Sequence, residues 1–291
     1  MVGGKNITDR VFIDRAKCSK CNKCIKVCPA SVIELQNKEI QFVRKEMCMS
    51  CGHCIAICES DALTSNPENN RKHLESKVFD KNIPREQLIF HEKRSVREFN
   101  NTDIAKETIE KLIAYAEKAP SSTNKRRRDY YAIIDKAKIA EMEAVIMNKF
   151  KSLAKLVNPF VIALISIFNK RFAKELTKMR KELLHIFKDY ENKKDPVFRN
   201  APCIICIAAP ANQIQSGDDC LISQQYMMLF AHTIEIGSCI IGYAQYMHKL
   251  MEKSLNVPKG QRIYAVSIFG YAKYKYEKEI TYTQKPEIMW F

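Results

Sequence analysis

The stretch "CSKCNKCIKVCP" (residues 18–29) returns as "CMSCGHCIAICE" (48–59), so Cys18, Cys21, Cys24 and Cys28 map onto Cys48, Cys51, Cys54 and Cys58 with one constant offset. Eight of the twelve cysteines belong to this duplication, all within the first fifth of a chain of 291 residues. Thiols this dense in sequence must be cross-linked or bound to metal, and either outcome ties the local backbone down. The beginning, "MVGGKNITDRVFIDRAKC", lacks the apolar stretch of a secretory signal. The longest strongly apolar run, "PFVIALISIF" (159–168), is too short to span a bilayer, so no transmembrane segment is expected. A cytoplasmic location follows as the expectation, and in a reducing compartment clustered cysteines bind metal more often than they form disulfides.

Structural zinc takes two pairs of ligands around one ion, whereas here three cysteines lie within seven residues and a fourth follows. That packing suits a cubane iron–sulfur cluster. Over about residues 8–66 the chain resembles bacterial two-cluster ferredoxins, in which the fourth cysteine of each run ligates the other cluster. The resemblance implies that Cys18, Cys21, Cys24 and Cys58 hold one [4Fe–4S] cluster and that Cys48, Cys51, Cys54 and Cys28 hold a second. Pro29 follows the first run as the pattern requires, while Glu59 stands where the second proline would be. That departure is expected to alter geometry or potential more than ligation. Low-potential, one-electron transfer is the implied chemistry.

At "SNPENNRKHLESK" (65–77) the chain turns polar and loses its cysteines, which predicts a small domain over 1–66, a linker over 67–85 and a larger domain over 86–291. Thr102 or Asp103 is expected to cap a helix over 104–119 that Pro120 stops. "DYYAIID" (129–135) and "PCIICIAA" (202–209) read as strands, the second apolar throughout and hence central. "LISQQYMMLFAHTIEIG" (221–237) reads as a long buried helix ending at Gly237, and "RIYAVSIFGY" (262–271) as the last strand. Helices alternating with a few strands predict an α+β sandwich.

The order of motifs from about 86 to 291 resembles the FMN-dependent nitroreductase family. "KRSVREF" resembles the family's FMN-gripping opening and offers Arg94, Ser95 and Arg97; "APSSTN" resembles the flavin-lining loop and offers Pro120, Ser121, Ser122 and Asn124. "EIGSCIIGY" resembles a turn near the ring and phosphate, with Ile236, Gly237, Ser238, Cys239, Ile240 and Gly242. Two departures stand out. Lys125–Arg128 follow Asn124 where the family continues with Gln-Pro and an aromatic residue, and Gln284 precedes Lys285 where a phosphate-binding arginine is usual. Lys285 is the substitute. The chemistry of these side chains suits the ligand: a flavin phosphate wants cationic forks and free backbone donors, and its ring edge wants groups that both donate and accept. The resemblance further implies a homodimer with FMN at the subunit interface.

The resulting reading is a small ferredoxin-like two-cluster domain followed by an α+β nitroreductase-like sandwich, an enzyme that passes electrons from two [4Fe–4S] clusters to FMN. The acceptor expected is a nitroaromatic, quinone or similar electron-poor small molecule; the donor is an acidic ferredoxin or flavodoxin, or else NAD(P)H acting directly on FMN. No acid–base catalytic residue is identified. The alternative is a relay that serves a partner enzyme and has no substrate of its own. A formal charge of +15 stays strongly positive after eight thiolates, two cluster cores and a flavin phosphate are counted. It would attract nucleic acid, an anionic membrane or an acidic protein. No nucleic-acid-binding motif is present, and no nucleic-acid partner is expected. "KRRR" (125–128) reads as an exposed loop, and Cys203 and Cys206 as buried thiols on opposite faces of a strand. The segment 149–190 matches no family motif and reads as a helical insertion, expected to roof the flavin pocket. Its stripe Phe172, Leu176, Met179, Leu183 and Phe187 suits packing on the core or a partner subunit, or a membrane surface.

Overall fold

The computed structural model describes residues 10–65, 74–80, 82–282 and 286–291. In chain order the first elements are β1 (Val11–Ile13), α1 (Lys23–Val27), β2 (Ile33–Gln36), β3 (Glu39–Phe42), α2 (His53–Ala56), β4 (Leu63–Ser65), β5 (Leu74–Val78) and α3 (Arg85–Glu92). There follow α4 (Lys106–Ala116), β6 (Asp129–Ile133), α5 (Lys136–Leu156), α6 (Pro159–Phe168), α7 (Lys170–Glu191), β7 (Cys203–Pro210) and α8 (Ser216–Thr233). The remainder are β8 (Ile236–Ile240), α9 (Gly242–Tyr246), α10 (His248–Ser254), β9 (Gln261–Tyr271) and β10 (Lys278–Tyr282). Two compact units result: the described residues up to Glu98 together with those from Ala272, and Phe99–Tyr271.

In the first unit the sequence duplication is also a duplication of backbone conformation. Lys20, Asn22 and Ser31 have left-handed φ of 56°, 62° and 46°, and their counterparts Ser50, Gly52 and Asp61 have 54°, 73° and 52°. Each half therefore turns its cysteine loop the same way before a short helix, α1 or α2. β1 pairs antiparallel with β4 and β2 with β3, so the strands join the two halves. Val11, Val27, Val32, Ile33, Ile55 and Ile57 fill the small core. Gly52 replaces the asparagine of the first copy for a steric reason: a Cβ there would come within 2.8 Å of Ile280.

That isoleucine lies on β10, which pairs antiparallel with β5 from Lys278↔Val78 to Tyr282↔Leu74. The stretch expected to be a linker thus holds a strand, and its partner is some 200 residues away in sequence, beyond the reach of any local signal. The segment 86–98, expected to open the larger domain, likewise falls in the first unit.

The second unit is an α+β sandwich around one antiparallel sheet of order β6-β7-β9-β8. β7 is central and buried along nearly its whole length, as its unbroken apolar run predicts. Cys206 faces a core with α5 and α7, including Ile139, Met142, Leu183 and Ile186; Cys203 faces the other core, with α4 and α8, including Leu112 and Met227. The sheet therefore separates the two thiols. α4 starts at Lys106 behind Ala105, not behind Thr102 or Asp103; Asn100 accepts from the Thr102 N–H at 3.1 Å in the turn before it. The helix expected to run to Gly237 stops at Thr233; Glu235, at φ 62°, makes the left-handed turn a glycine was expected to make. Residues 149–190 are helical, distributed over α5, α6 and α7. Among the described residues no single helix is long and apolar enough to cross a membrane; α5 and α6 pass that test only as a pair, bent by 55°.

A buried carboxyl with a half-buried one beside it makes the sandwich pH-sensitive. Asp195 accepts from the N–H groups of Val197 at 2.9 Å, Phe198 at 2.7 Å and Asn200 at 3.0 Å, which organises the turn before β7. Burial, and then the Asp195 charge beside it, push the Glu143 carboxyl far above the usual carboxylate range. A raised folded-state value means stability present at acid pH is lost as pH climbs from the ordinary glutamate range towards the raised one. Glu143→Gln keeps the neutral form at every pH. Thermal unfolding across the neutral-to-alkaline range should show the wild type losing stability and the variant holding its midpoint.

Candidate functional site

The cysteine runs close two pockets, and the closure crosses the halves. Cys18, Cys21, Cys24 and Cys58 line one, of about 340 Å³ with its mouth; Cys28, Cys48, Cys51 and Cys54 line the other, of about 420 Å³. The fourth cysteine of each run has been delivered to the other set. Each four-thiol set lines a cavity, the arrangement a cluster requires.

Electrostatics make the same point. Burial, then the neighbouring thiols Cys21, Cys58 and Cys18, push the Cys24 thiol up to about 12. Burial, then Cys51 and Cys28, also push the Cys54 thiol well above its ordinary value. Four thiols that oppose each other's ionisation become good ligands when a cationic core stands between them. The residues present fit two clusters.

Further groups meet these pockets. Lys278 of β10 is buried, with its ammonium on the Cys58 carbonyl and the Asp61 carboxylate. Glu59, in place of proline, pairs with Lys23 across the two halves. On the second pocket His53 places Nε2 3.3 Å from the Ser95 carbonyl, and an Arg97 Nη lies 3.4 Å from the same nitrogen. Burial, then the Arg97 charge, hold His53 down at about 4, so it is neutral at physiological pH and donates Nε2–H to Ser95. Burial raises the Cys51 thiol, opposed by the His53 N–H and by Arg97. Sequence reasoning missed His53 and Lys278: one is hidden inside the cysteine run, and the other has partners about 220 residues away.

The residues expected to meet FMN fall in both units. In the first, Arg94, Ser95 and Arg97 follow α3 beside the second pocket's His53. Arg94 is half-buried and donates one Nη to the Lys93 carbonyl at 3.2 Å, while its other Nη is buried with no hydrogen-bond partner among the described residues. An orphaned buried guanidinium donor is what an anionic phosphate would satisfy, so this residue fits the flavin's charged end. Lys285 lies outside the described residues.

In the second unit Ser121, Ser122 and Asn124 form a loop after Pro120. It is pinned to the first turn of α8 by Ser122 N–H to Asp219 at 2.9 Å and by Ser122 Oγ to Gln215. The Asn124 side chain is engaged by Arg126 Nε at 2.9 Å. Of the run expected to be exposed, Lys125, Arg126 and Arg127 are exposed, but Arg128 is buried. Its guanidinium pairs with Glu117 at 3.0 Å and caps the Ala119 and Pro120 carbonyls. With its guanidinium buried on these acceptors, Arg128 belongs to the scaffold. Ile236, Gly237, Ser238, Cys239 and Ile240 are strand β8, not a turn, and Gly242 opens α9. β8 is the edge of that sheet, and four of its five residues are buried.

The loop at Ser121–Asn124 sits at the start of α8, and β8 begins beyond its end. β8 then runs back beside that helix: Ile240 pairs with Ser267, whose hydroxyl accepts from Gln224 at the middle of α8 at 2.7 Å.

A chain that combines an antiparallel sheet between helical layers in one unit with two crossed four-thiol pockets in the other has the parts of an iron–sulfur oxidoreductase. Residues 91–271 match the nitroreductase family and residues 10–59 match the 4Fe-4S dicluster domain, and the chain belongs to the nitroreductase family. It is an FMN-dependent oxidoreductase of that family with an iron–sulfur domain. Among solved structures it is similar to oxidized iodotyrosine deiodinase bound to FMN and 3-iodo-L-tyrosine, at 16% identity over 70% of this chain and 96% of that one, TM-score 0.50. A nitroreductase with bound FMN from Desulfitobacterium hafniense DCB-2 is 18% identical over 72% of this chain and 100% of its own, TM-score 0.49. An FMN-dependent nitroreductase from Clostridium difficile R20291 is 20% identical over 65% and 88%, TM-score 0.44. Comparison with curated proteins finds no match.

Crossed ligation is directly testable. Cys58→Ser should deplete the cluster it shares with Cys18, Cys21 and Cys24 and leave the one held by Cys48, Cys51 and Cys54. Anaerobic iron analysis should fall from about eight to about four atoms per chain. Low-temperature EPR of the reduced variant should retain a single cluster signal.

Proposed function

We propose that this chain takes single electrons from an external protein donor and delivers them in pairs to an electron-poor small molecule, such as a nitroaromatic or a quinone. When bound, the clusters carry electrons singly and FMN converts them to two-electron reduction. The observation that carries this reading is the packing of Ser95 and Arg97 on His53, in the wall of the pocket formed by Cys28, Cys48, Cys51 and Cys54. The segment that resembles the family's FMN grip thus lies against one thiol set.

The residues divide the work accordingly. Cys21 is exposed, so the pocket it shares with Cys18, Cys24 and Cys58 is the entry point for electrons. The second pocket is the exit, with Arg97 beside it and the free Nη of Arg94 available to a flavin phosphate. Arg94, Ser95 and Arg97 would bind and orient the cofactor, and Ser121, Ser122, Asn124 and β8 would face its ring. Members of the nitroreductase family are often dimeric, which supports a homodimer here. The basic surface favours an acidic ferredoxin or flavodoxin as donor, and NAD(P)H is the competing reductant.

Arg94→Ala should lower acid-released flavin at least about tenfold, the effect of losing a charge-assisted phosphate contact, and leave iron content unchanged. In the wild type, reduction by an acidic ferredoxin should slow steeply with ionic strength, whereas reduction by NAD(P)H should not. Wild type that holds full iron and never binds FMN would defeat the proposal. Wild type that holds both cofactors and turns over no small acceptor would make the chain a relay.

A further inference from the structure

Helix α6 has no buried residue although it is almost entirely apolar. Phe160, Leu164, Ile167 and Phe168 are between 52% and 83% exposed, and Leu156 and Phe172 extend the patch to 68% and 52%. A soluble monomer rarely leaves so continuous a face in water. The neighbouring helices do bury their own faces: Met142, Ile146 and Phe150 of α5, and Leu183 and Ile186 of α7, enter the sandwich core. α6 packs against α7 with Val161, Ile162 and Ile165 half-buried, and turns its remaining apolar side chains outward.

The charge around it narrows the occupant. From Ala144 to Lys174 there is no Asp or Glu, and six cations flank the apolar helix: Lys149, Lys151, Lys155, Lys170, Arg171 and Lys174. All six are exposed, and none has a carboxylate partner among the described residues. We infer that α6 is an interfacial anchor, which lays its apolar face into an anionic lipid bilayer while the flanking lysines and arginine meet the headgroups. Apolar side chains ringed by cations without acids are the composition such anchors share.

Spanning is excluded by size, since ten residues make a helix about 15 Å long against a hydrocarbon layer of about 30 Å. α5 cannot extend it, because its apolar residues are already in the core. A second copy of the chain is a poorer occupant: a twofold contact through α6 would set the six cations against their own images with no acidic residue in the segment to offset them. This inference does not depend on the proposed electron path.

The test uses the full chain, loaded with its clusters, sedimented with vesicles of phosphatidylglycerol and phosphatidylcholine in equal parts, and with phosphatidylcholine alone. The expected result is binding to the anionic vesicles, at least about tenfold weaker on the neutral ones and at high salt. The double variant Ile167→Glu, Phe168→Glu should abolish it, and Lys170→Glu, Arg171→Glu should weaken it, both with unchanged iron content and circular dichroism. No binding to anionic vesicles at low salt would overturn the inference. So would equal binding by the apolar variant, or sedimentation equilibrium showing that this variant turns a dimer into a monomer, which would make the patch a self-interface.

Discussion

The exchange of Cys28 and Cys58 between the two pockets is the constraint on which the rest of the first unit depends. Each pocket has three thiols from its own half and one from its twin, so neither half can complete a site by itself. Cys24 and Cys54 also lie beside other thiols, where ionisation is opposed by burial and by mutual repulsion. Cluster cations remove both penalties together, which couples assembly of the core to metal loading. Left-handed turns repeated in each half aim the loops, and the strands β1–β4 bind the halves into one body.

What the sequence disclosed was what depends on near neighbours. Cysteine spacing fixes which loop can surround a cluster, and an apolar run fixes β7 as a central strand, because each signal lies within a dozen residues. The separation of Cys203 from Cys206 follows from the two-residue period of a strand in the same way. Long-range partners were invisible. Nothing near Arg128 announces that Glu117 and a ring of carbonyls will bury it, and a charge run is ordinarily solvated. The strand at 74–78 hides in a polar stretch because four of its five side chains remain exposed, so it has no alternation to display. At Gly237 the error had a different source: glycine suits the end of a helix, but Glu235 had already turned the chain, and the glycine was left opposite Gly270 in a strand pair.

The flavin-facing residues show how a motif order can be informative while its geometry is not. Arg94, with an unsatisfied buried donor, carries an imprint of its ligand. Ser122 and Asn124 carry none, since their hydrogen bonds go to Asp219, Gln215 and Arg126. Those bonds set the loop's shape and leave its function to whatever approaches from outside the chain.

The pairing of β5 with β10 has a consequence for the order in which this protein is made. The first unit is interrupted by the whole sandwich, for Glu98 and Ala272 both belong to it. At about 5–20 residues per second, a ribosome needs on the order of ten to forty seconds to travel from one to the other. Throughout that interval the nascent cysteine loops exist without the strand that covers Gly52 and without Lys278 on the Cys58 carbonyl. The sandwich can finish folding first, and the iron–sulfur unit is closed over afterwards by residues synthesised on the far side of its neighbour.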